Sequence, residues 1–241
     1  MDGTIFSFLN MGALLGWTFV LFLLLSQLSI IQSSLPSIIQ QLTLPFFDAT
    51  TTTTSDRLPI IDLLLFLEGI CFIEVGRIAI GQLKGNLVLG VILHLIRMSC
   101  LLIVLPEGLS SSSETNVLIS TLVLYSWALT EVGRYPMYLF PSSLMARYVR
   151  LVLPIVTFPV GAFAEAVGAY WHLKQLLAED ADDNDATRSS LHWIQVGLLV
   201  LVVGINSLLG PTMAYPALLK KGLPVLMGEK DKSKATRKKT D

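Results

Sequence analysis

Six stretches of this chain read as membrane spans, and that pattern limits the fold more than any other feature of the sequence. A helix crossing the hydrocarbon core of a bilayer needs about 20 mainly apolar residues. Windows at about 11–31, 58–80, 86–105, 115–139, 150–171 and 192–218 meet that requirement. A helix also satisfies its own backbone hydrogen bonds where there is no water to do so. Composition agrees: 53% of residues are apolar and only 15% are charged, against about 25% charged in soluble domains. A water-soluble domain of 241 residues has nowhere to bury so much apolar surface. The first window has no basic residues before it and no small-residue cleavage site after it, so it reads as a retained span rather than a signal peptide. The expected fold is all-α, a polytopic bundle of six transmembrane helices. Residues 1–219 form the membrane domain and 220–241 a basic tail, with no internal repeat.

Charge gives the expected sidedness. The net charge of -1 hides eight Lys/Arg among the 22 residues from Lys220 to Asp241, and five acids in Glu179–Asp185. With six spans both termini share a side. That side also holds Arg77 and Lys84 in the second-to-third loop and Arg147 and Arg150 in the fourth-to-fifth loop. The opposite side holds Arg57, Lys174 and Arg188 among more numerous acids. The positive-inside bias therefore places both termini in the cytosol. A short basic tail beside an apolar body argues against a nucleic-acid partner and for the lipid bilayer. The chain's last residues, Lys238-Lys239-Thr240-Asp241, match a dilysine retrieval signal of endoplasmic-reticulum membrane proteins.

Ionisable groups inside spans are costly unless paired or hydrated, and each marks a functional hypothesis. Asp62, Glu68, Glu74 and Arg77 fall in the second span, His94 and Arg97 in the third, Glu131 and Arg134 in the fourth, and Glu165 in the fifth. Glu74/Arg77 and Glu131/Arg134 are each three residues apart, so each pair can neutralise itself within one helical turn; an ion pair holding helices together is as good a reading as function. His94 reads as a packing or hydrogen-bonding group. Glu165 has no basic residue at i±3 or i±4. Apolar surroundings disfavour charge, and a protonated carboxyl is what a general acid needs. The competing reading is a packing carboxyl bonded to Trp or Tyr on a neighbouring helix.

Other chemistries find little support. No His/Cys/Asp/Glu cluster has metal-ligand spacing and no glycine-rich phosphate loop is present, so neither a metal nor a cofactor is expected. Cys71 and Cys100 lie in apolar runs and read as buried thiols. Cys71 and Arg77 have the C-x5-R spacing of tyrosine phosphatases. Such a site needs an accessible thiolate, however, and Glu74 would repel phosphate, so chance spacing is the better reading. A transporter or channel is disfavoured by the absence of a repeat and the small number of spans.

The fourth span contains Trp127-x-x-Thr130-Glu131-x-x-Arg134-Tyr135. This resembles the W-x-x-T-E-x-x-R-Y signature of the very-long-chain (3R)-3-hydroxyacyl-CoA dehydratases, also called the protein-tyrosine-phosphatase-like family. Gly16-Trp17 in the first span, Glu74, Gly81 and Arg97, and Arg150 followed by Phe158-Pro159-x-Gly161-x3-Glu165 extend the resemblance over nearly the whole chain. The resemblance implies dehydration of a very-long-chain 3-hydroxyacyl-CoA to the trans-2-enoyl-CoA, the third step of microsomal fatty-acid elongation. It also implies other elongation enzymes as partners. In the family a Tyr and a Glu seven residues apart supply the base and the acid. Glu74, Arg97, Glu131 and Arg134 are then polar pocket residues, and Lys84, Arg147 and Arg150 are electrostatic candidates for the CoA phosphates.

Glu165 occupies the family's Glu position, but the Tyr position holds Phe158. Three readings stay open. A neighbouring hydroxyl, from Tyr135, Tyr138 or Tyr148, substitutes as base; the local register is shifted; or the chain is a weak or inactive relative that binds acyl-CoA or scaffolds the elongation complex. The Phe fills nearly the same volume, so fold and acyl site survive the change.

Overall fold

The computed structural model describes residues 3–27, 46, 58–82, 86–182 and 190–227, which are helical nearly throughout. Six long helices occur among them: α1 (Gly3–Ser26), α2 (Pro59–Ala79), α3 (Leu87–Ser110), α4 (Glu114–Leu139), α5 (Leu144–Asp182) and α6 (Ser190–Leu226). No strand occurs among the described residues. The all-α expectation holds.

Four helices are long and apolar enough to cross a membrane by length and composition: α1, α3, α5 and α6. The chain is a multi-pass membrane protein. The remaining two, α2 and α4, carry most of the intramembrane charge foreseen in the sequence. Their 21 and 26 residues correspond to about 31 and 39 Å, and Glu68, Glu74, Glu131 and Arg134 turn inward. Glu68 and Glu131 are 1% and 2% exposed, whereas Phe66 on α2 is 67% exposed. Composition alone therefore understates how apolar the outer faces of α2 and α4 are.

Helix ends depart from the sequence windows. The Ser-rich segment 106–114, which falls between the third and fourth windows, is helical as far as Ser110. Only Ser111, Ser112 and Ser113 separate α3 from α4. Helix α5 starts at Leu144 rather than near 150 and runs through both Pro154 and Pro159. Its start is set by Ser143, whose Oγ accepts the Ala146 N–H (3.2 Å) as an N-cap. Helix α6 includes Lys220 and Lys221, which were expected in the tail. The dilysine-like terminus, Lys84 and the acidic residues 183–185 lie outside the described residues.

Helices α4 and α5 pack along each other at the centre. Helix α1 lies against α4, α6 against α5, and α2 against α3. Two wide-turn, π-helical segments interrupt the regular helices: Cys100–Val104 in α3 and Ile205–Ala214 in α6. Pro211 falls inside the second and Pro106 just after the first; proline lacks the N–H that a regular turn requires.

Candidate active site

Glu165 is the residue around which α4, α5 and α6 meet. Helices α4 and α5 come close at Gly161, where an added Cβ would collide with Ser126 Oγ. That approach brings Trp127, the neighbour of Ser126, onto Glu165: Trp127 Nε1 donates to Glu165 Oε1 at 2.6 Å. From the other side Asn206 Nδ2, in the π-helical part of α6, donates to Oε2 at 2.8 Å. Glu165 is 8% exposed and each of its oxygens accepts one N–H bond. The Trp partner fits the packing reading of this carboxyl as well as a functional one. Asn206 was not singled out in the sequence; its signal is an amide in an otherwise apolar run.

A chain of ion pairs fills the space between α2, α3 and α4. Arg97 Nη1 donates to Glu68 Oε2 (3.2 Å) and to Glu131 Oε1 (2.7 Å). Arg134 Nη2 lies 2.8 Å from Glu131 Oε2 and 3.6 Å from Glu74 Oε2. His94 Nδ1 is hydrogen-bonded to Glu68 Oε1. The expected Glu131/Arg134 pair is present. The expected Glu74/Arg77 pair is not: Glu74 turns to Arg134 on α4, and the Arg77 guanidinium sits 3.7 Å from the centre of the Phe6 ring. A cross-helix partner for Glu74 and an aromatic face for Arg77 replace the pairing within one turn. Asp62 stands apart, exposed in the first turn of α2, where a helix favours negative charge. The Arg97 guanidinium also lies 5.0 Å from the centre of the Trp127 ring and 5.7 Å from that of Trp17. Trp127 thus touches both the ion-pair chain and Glu165.

The three tyrosines expected as substitutes lie in different surroundings. Tyr135 is fully buried, with its hydroxyl 3.1 Å from Cys71 Sγ and 3.2 Å from Arg134 Nη2. It lies eight residues, about 12 Å, along α4 from Trp127. Tyr138 packs against Tyr135 with the Arg150 guanidinium over its ring at 5.0 Å. Tyr148 is 39% exposed and lines an apolar cleft of about 390 Å³ with Arg147, Leu151 and Val225. Arg150 is drawn inward, its Nη1 3.2 Å from Met137 Sδ. Of the expected CoA-phosphate contacts, Arg147 is exposed at that cleft.

Phe158 lies two helical turns before Glu165 on the same face of α5, and its ring stacks on that of Tyr215, with centroids 6.4 Å apart and planes 8° from parallel. Gly210 also faces Phe158: a Cβ there would be 3.8 Å from Phe158 Cζ. The seam between α5 and α6 therefore reads Glu165 with Asn206, then Phe158 with Gly210 and Tyr215.

The protein family described as "protein tyrosine phosphatase-like protein, PTPLA" matches residues 69–221. The chain belongs to this family. It is the very-long-chain 3-hydroxyacyl-CoA dehydratase family, and the match takes in Trp127, Phe158, Glu165, Asn206, Tyr215 and most of the ion-pair chain. No curated protein and no solved structure matches the chain. The phosphatase-like spacing of Cys71 and Arg77 builds no phosphatase site here. Cys71 is fully buried against Tyr135 while Arg77 turns to Phe6. Among the described residues no group of three or more His, Cys, Asp or Glu is placed to hold a metal.

Proposed function

We propose that the protein dehydrates very-long-chain (3R)-3-hydroxyacyl-CoA to the trans-2-enoyl-CoA in the endoplasmic-reticulum membrane, as the third step of fatty-acid elongation. The observation that carries this reading is the pair of N–H donors, Trp127 and Asn206, fixing both oxygens of a buried glutamate in a dehydratase-family chain. The reaction removes a proton from C2 and adds one to the departing C3 hydroxyl, so it needs a positioned proton acceptor and a positioned donor. In the sequence the isolated Glu165 suits the donor role. A carboxyl oriented by an N–H on each oxygen suits the acceptor role equally well, and that is the role assigned to it in this proposal.

The apolar cleft beside Arg147 lies at the α5 and α6 ends nearest Phe158, about 21 Å along α5 from Glu165. It suits the CoA end of the substrate, with Arg147 beside the phosphates and the reacting carbons further along the seam. In the proposed topology of six spans with cytosolic termini, this cleft faces the cytosol. The inward turn of the α2 and α4 charges supports counting those helices as spans.

The test is turnover of a long-chain (3R)-3-hydroxyacyl-CoA by the purified full-length protein, with Glu165→Gln beside it. Turnover lost in the variant supports the dehydratase. Acyl-CoA binding without turnover in the unmutated protein points instead to a binding member of the elongation complex, the reading that the missing hydroxyl of Phe158 favours.

A further inference from the structure

We propose that Tyr215 supplies the second proton-transferring group of the site, opposite Glu165, an inference that rests on the dehydratase reading. The chain has six tyrosines. Tyr215 is the one whose ring stacks on Phe158, on the same face of α5 as Glu165. Tyr135 and Tyr125 have committed hydroxyls, the latter donating to the Leu24 carbonyl at 2.7 Å. Nearby hydroxyls are also engaged. Thr130 and Thr157 are 2.8 Å apart, and Ser126 donates to the Val123 carbonyl. The Tyr215 hydroxyl has no hydrogen-bond partner among the described residues, and its side chain is half-buried. The hydroxyl lies in a ring plane nearly parallel to that of Phe158, so it projects past the Phe158 ring and not into it.

Backbone geometry explains how Tyr215 reaches this face. Positions 206 and 215 are nine residues apart, which in a regular α-helix of 3.6 residues per turn puts them on opposite sides. The intervening Ile205–Ala214 segment is π-helical, with wider turns. The angular offset closes, and Asn206, Gly210 and Tyr215 all meet α5. Single-turn insertions of this kind are frequent at functional sites; this one spans 10 residues.

The step balances when it starts from the Glu165 carboxylate and the Tyr215 hydroxyl. The Glu165 carboxylate takes the C2 proton as the C2–H bond breaks, and that electron pair becomes the C2–C3 double bond. The C3–O bond breaks, and the departing oxygen takes the Tyr215 hydroxyl proton and leaves as water. Glu165 now holds a proton and Tyr215 is a phenolate. Passing that proton from Glu165 to Tyr215 restores the starting state.

The experiment uses the full chain in detergent and one long-chain (3R)-3-hydroxyacyl-CoA, comparing the unmutated protein, Tyr215→Phe, Glu165→Gln and the double variant Tyr215→Phe/Phe158→Tyr. Tyr215→Phe keeps the stacked ring and is expected to lower kcat by about 100-fold or more, the span of general acid–base catalysis, with acyl-CoA binding unchanged. Phe158→Tyr in that background is expected to recover at least tenfold, because it returns a hydroxyl to the same face. A loss below tenfold in Tyr215→Phe, while Glu165→Gln is inactive, overturns the assignment and leaves the dehydratase standing. A loss of turnover matched by an equal loss of binding overturns it too. Absence of turnover in the unmutated protein, or full turnover in Glu165→Gln, removes the dehydratase reading and this proposal together.

Discussion

Trp127 Nε1 and Glu165 Oε1 are joined by a 2.6 Å hydrogen bond across the α4–α5 interface, and the same indole ring lies 5.0 Å from the Arg97 guanidinium. Replacing Trp127 by Phe keeps an aromatic face toward Arg97 and removes the N–H from Glu165. Hydrogen bonds to charged groups contribute about 1.5–3 kcal/mol. A loss of that size in transition-state orientation lowers kcat roughly 10- to 150-fold. KM is expected to change little, since Trp127 orients the carboxyl and not the acyl chain. Steady-state kinetics on Trp127→Phe check this; an unchanged kcat would show that Asn206 alone holds Glu165.

Arg97 bridges two buried carboxyl groups on different helices, Glu68 and Glu131. Removing one partner of a buried ion pair strands the other charge, at a cost of about 3–5 kcal/mol. Arg97→Met is therefore expected to lower the unfolding midpoint strongly in a denaturing-detergent titration. Arg77→Met removes a half-buried guanidinium resting on Phe6, a contact worth about 0.5–2 kcal/mol. The two arginines are expected to separate clearly, and equal losses would contradict the pairing described.

Gly161 sits where a methyl group would enter Ser126 Oγ. Gly161→Ala forces α4 from α5 or turns Ser126, and overpacking of this kind costs about 1–3 kcal/mol. Thermal unfolding reports that cost. Turnover is expected to fall further than stability, because the displaced helix carries Trp127. Pairing Gly161→Ala with Ser126→Ala, which removes the clashing oxygen, is expected to recover part of both.

Cys71 is buried, and its sulfur contacts the Tyr135 hydroxyl instead of opening to solvent. Cys71→Ala is expected to cost about 1 kcal/mol through one lost hydrogen bond and to leave kcat within a few-fold of the unmutated protein. A loss of 100-fold in turnover would return Cys71 to the functional site.

Hydropathy made the helices legible because the bilayer demands a fixed length of apolar chain, and Glu165 stood out as a lone carboxyl within one of them. The partner of Glu74 was not legible. Sequence spacing offered Arg77 one turn away, whereas inter-helix packing presented Arg134 on the facing helix and gave Arg77 an aromatic ring. Helix ends were obscured for a related reason: residues 144–149 are good enough helix formers, capped by Ser143, to extend α5 beyond its most apolar part. Asn206 and Tyr215 stayed hidden because reading faces at 100° per residue separates them. Only the wide turns between them, which no residue pattern announced, bring them to one seam.

The π-helical stretch of α6 works as a rotational adjuster. A wider turn admits a surplus residue without breaking the helix, so everything beyond Ala214 takes its angle from how many such turns precede it. Removing one residue between Leu208 and Thr212 would swing the remainder of α6 by about 100°. Tyr215 would leave Phe158, and Gly222, which fits against the Leu151 carbonyl only for want of a side chain, would yield its place to a bulkier neighbour. Asn206, upstream of the change, would keep its hold on Glu165. One deletion would thus uncouple the two halves of the seam, which places their alignment in the pitch of a single helix.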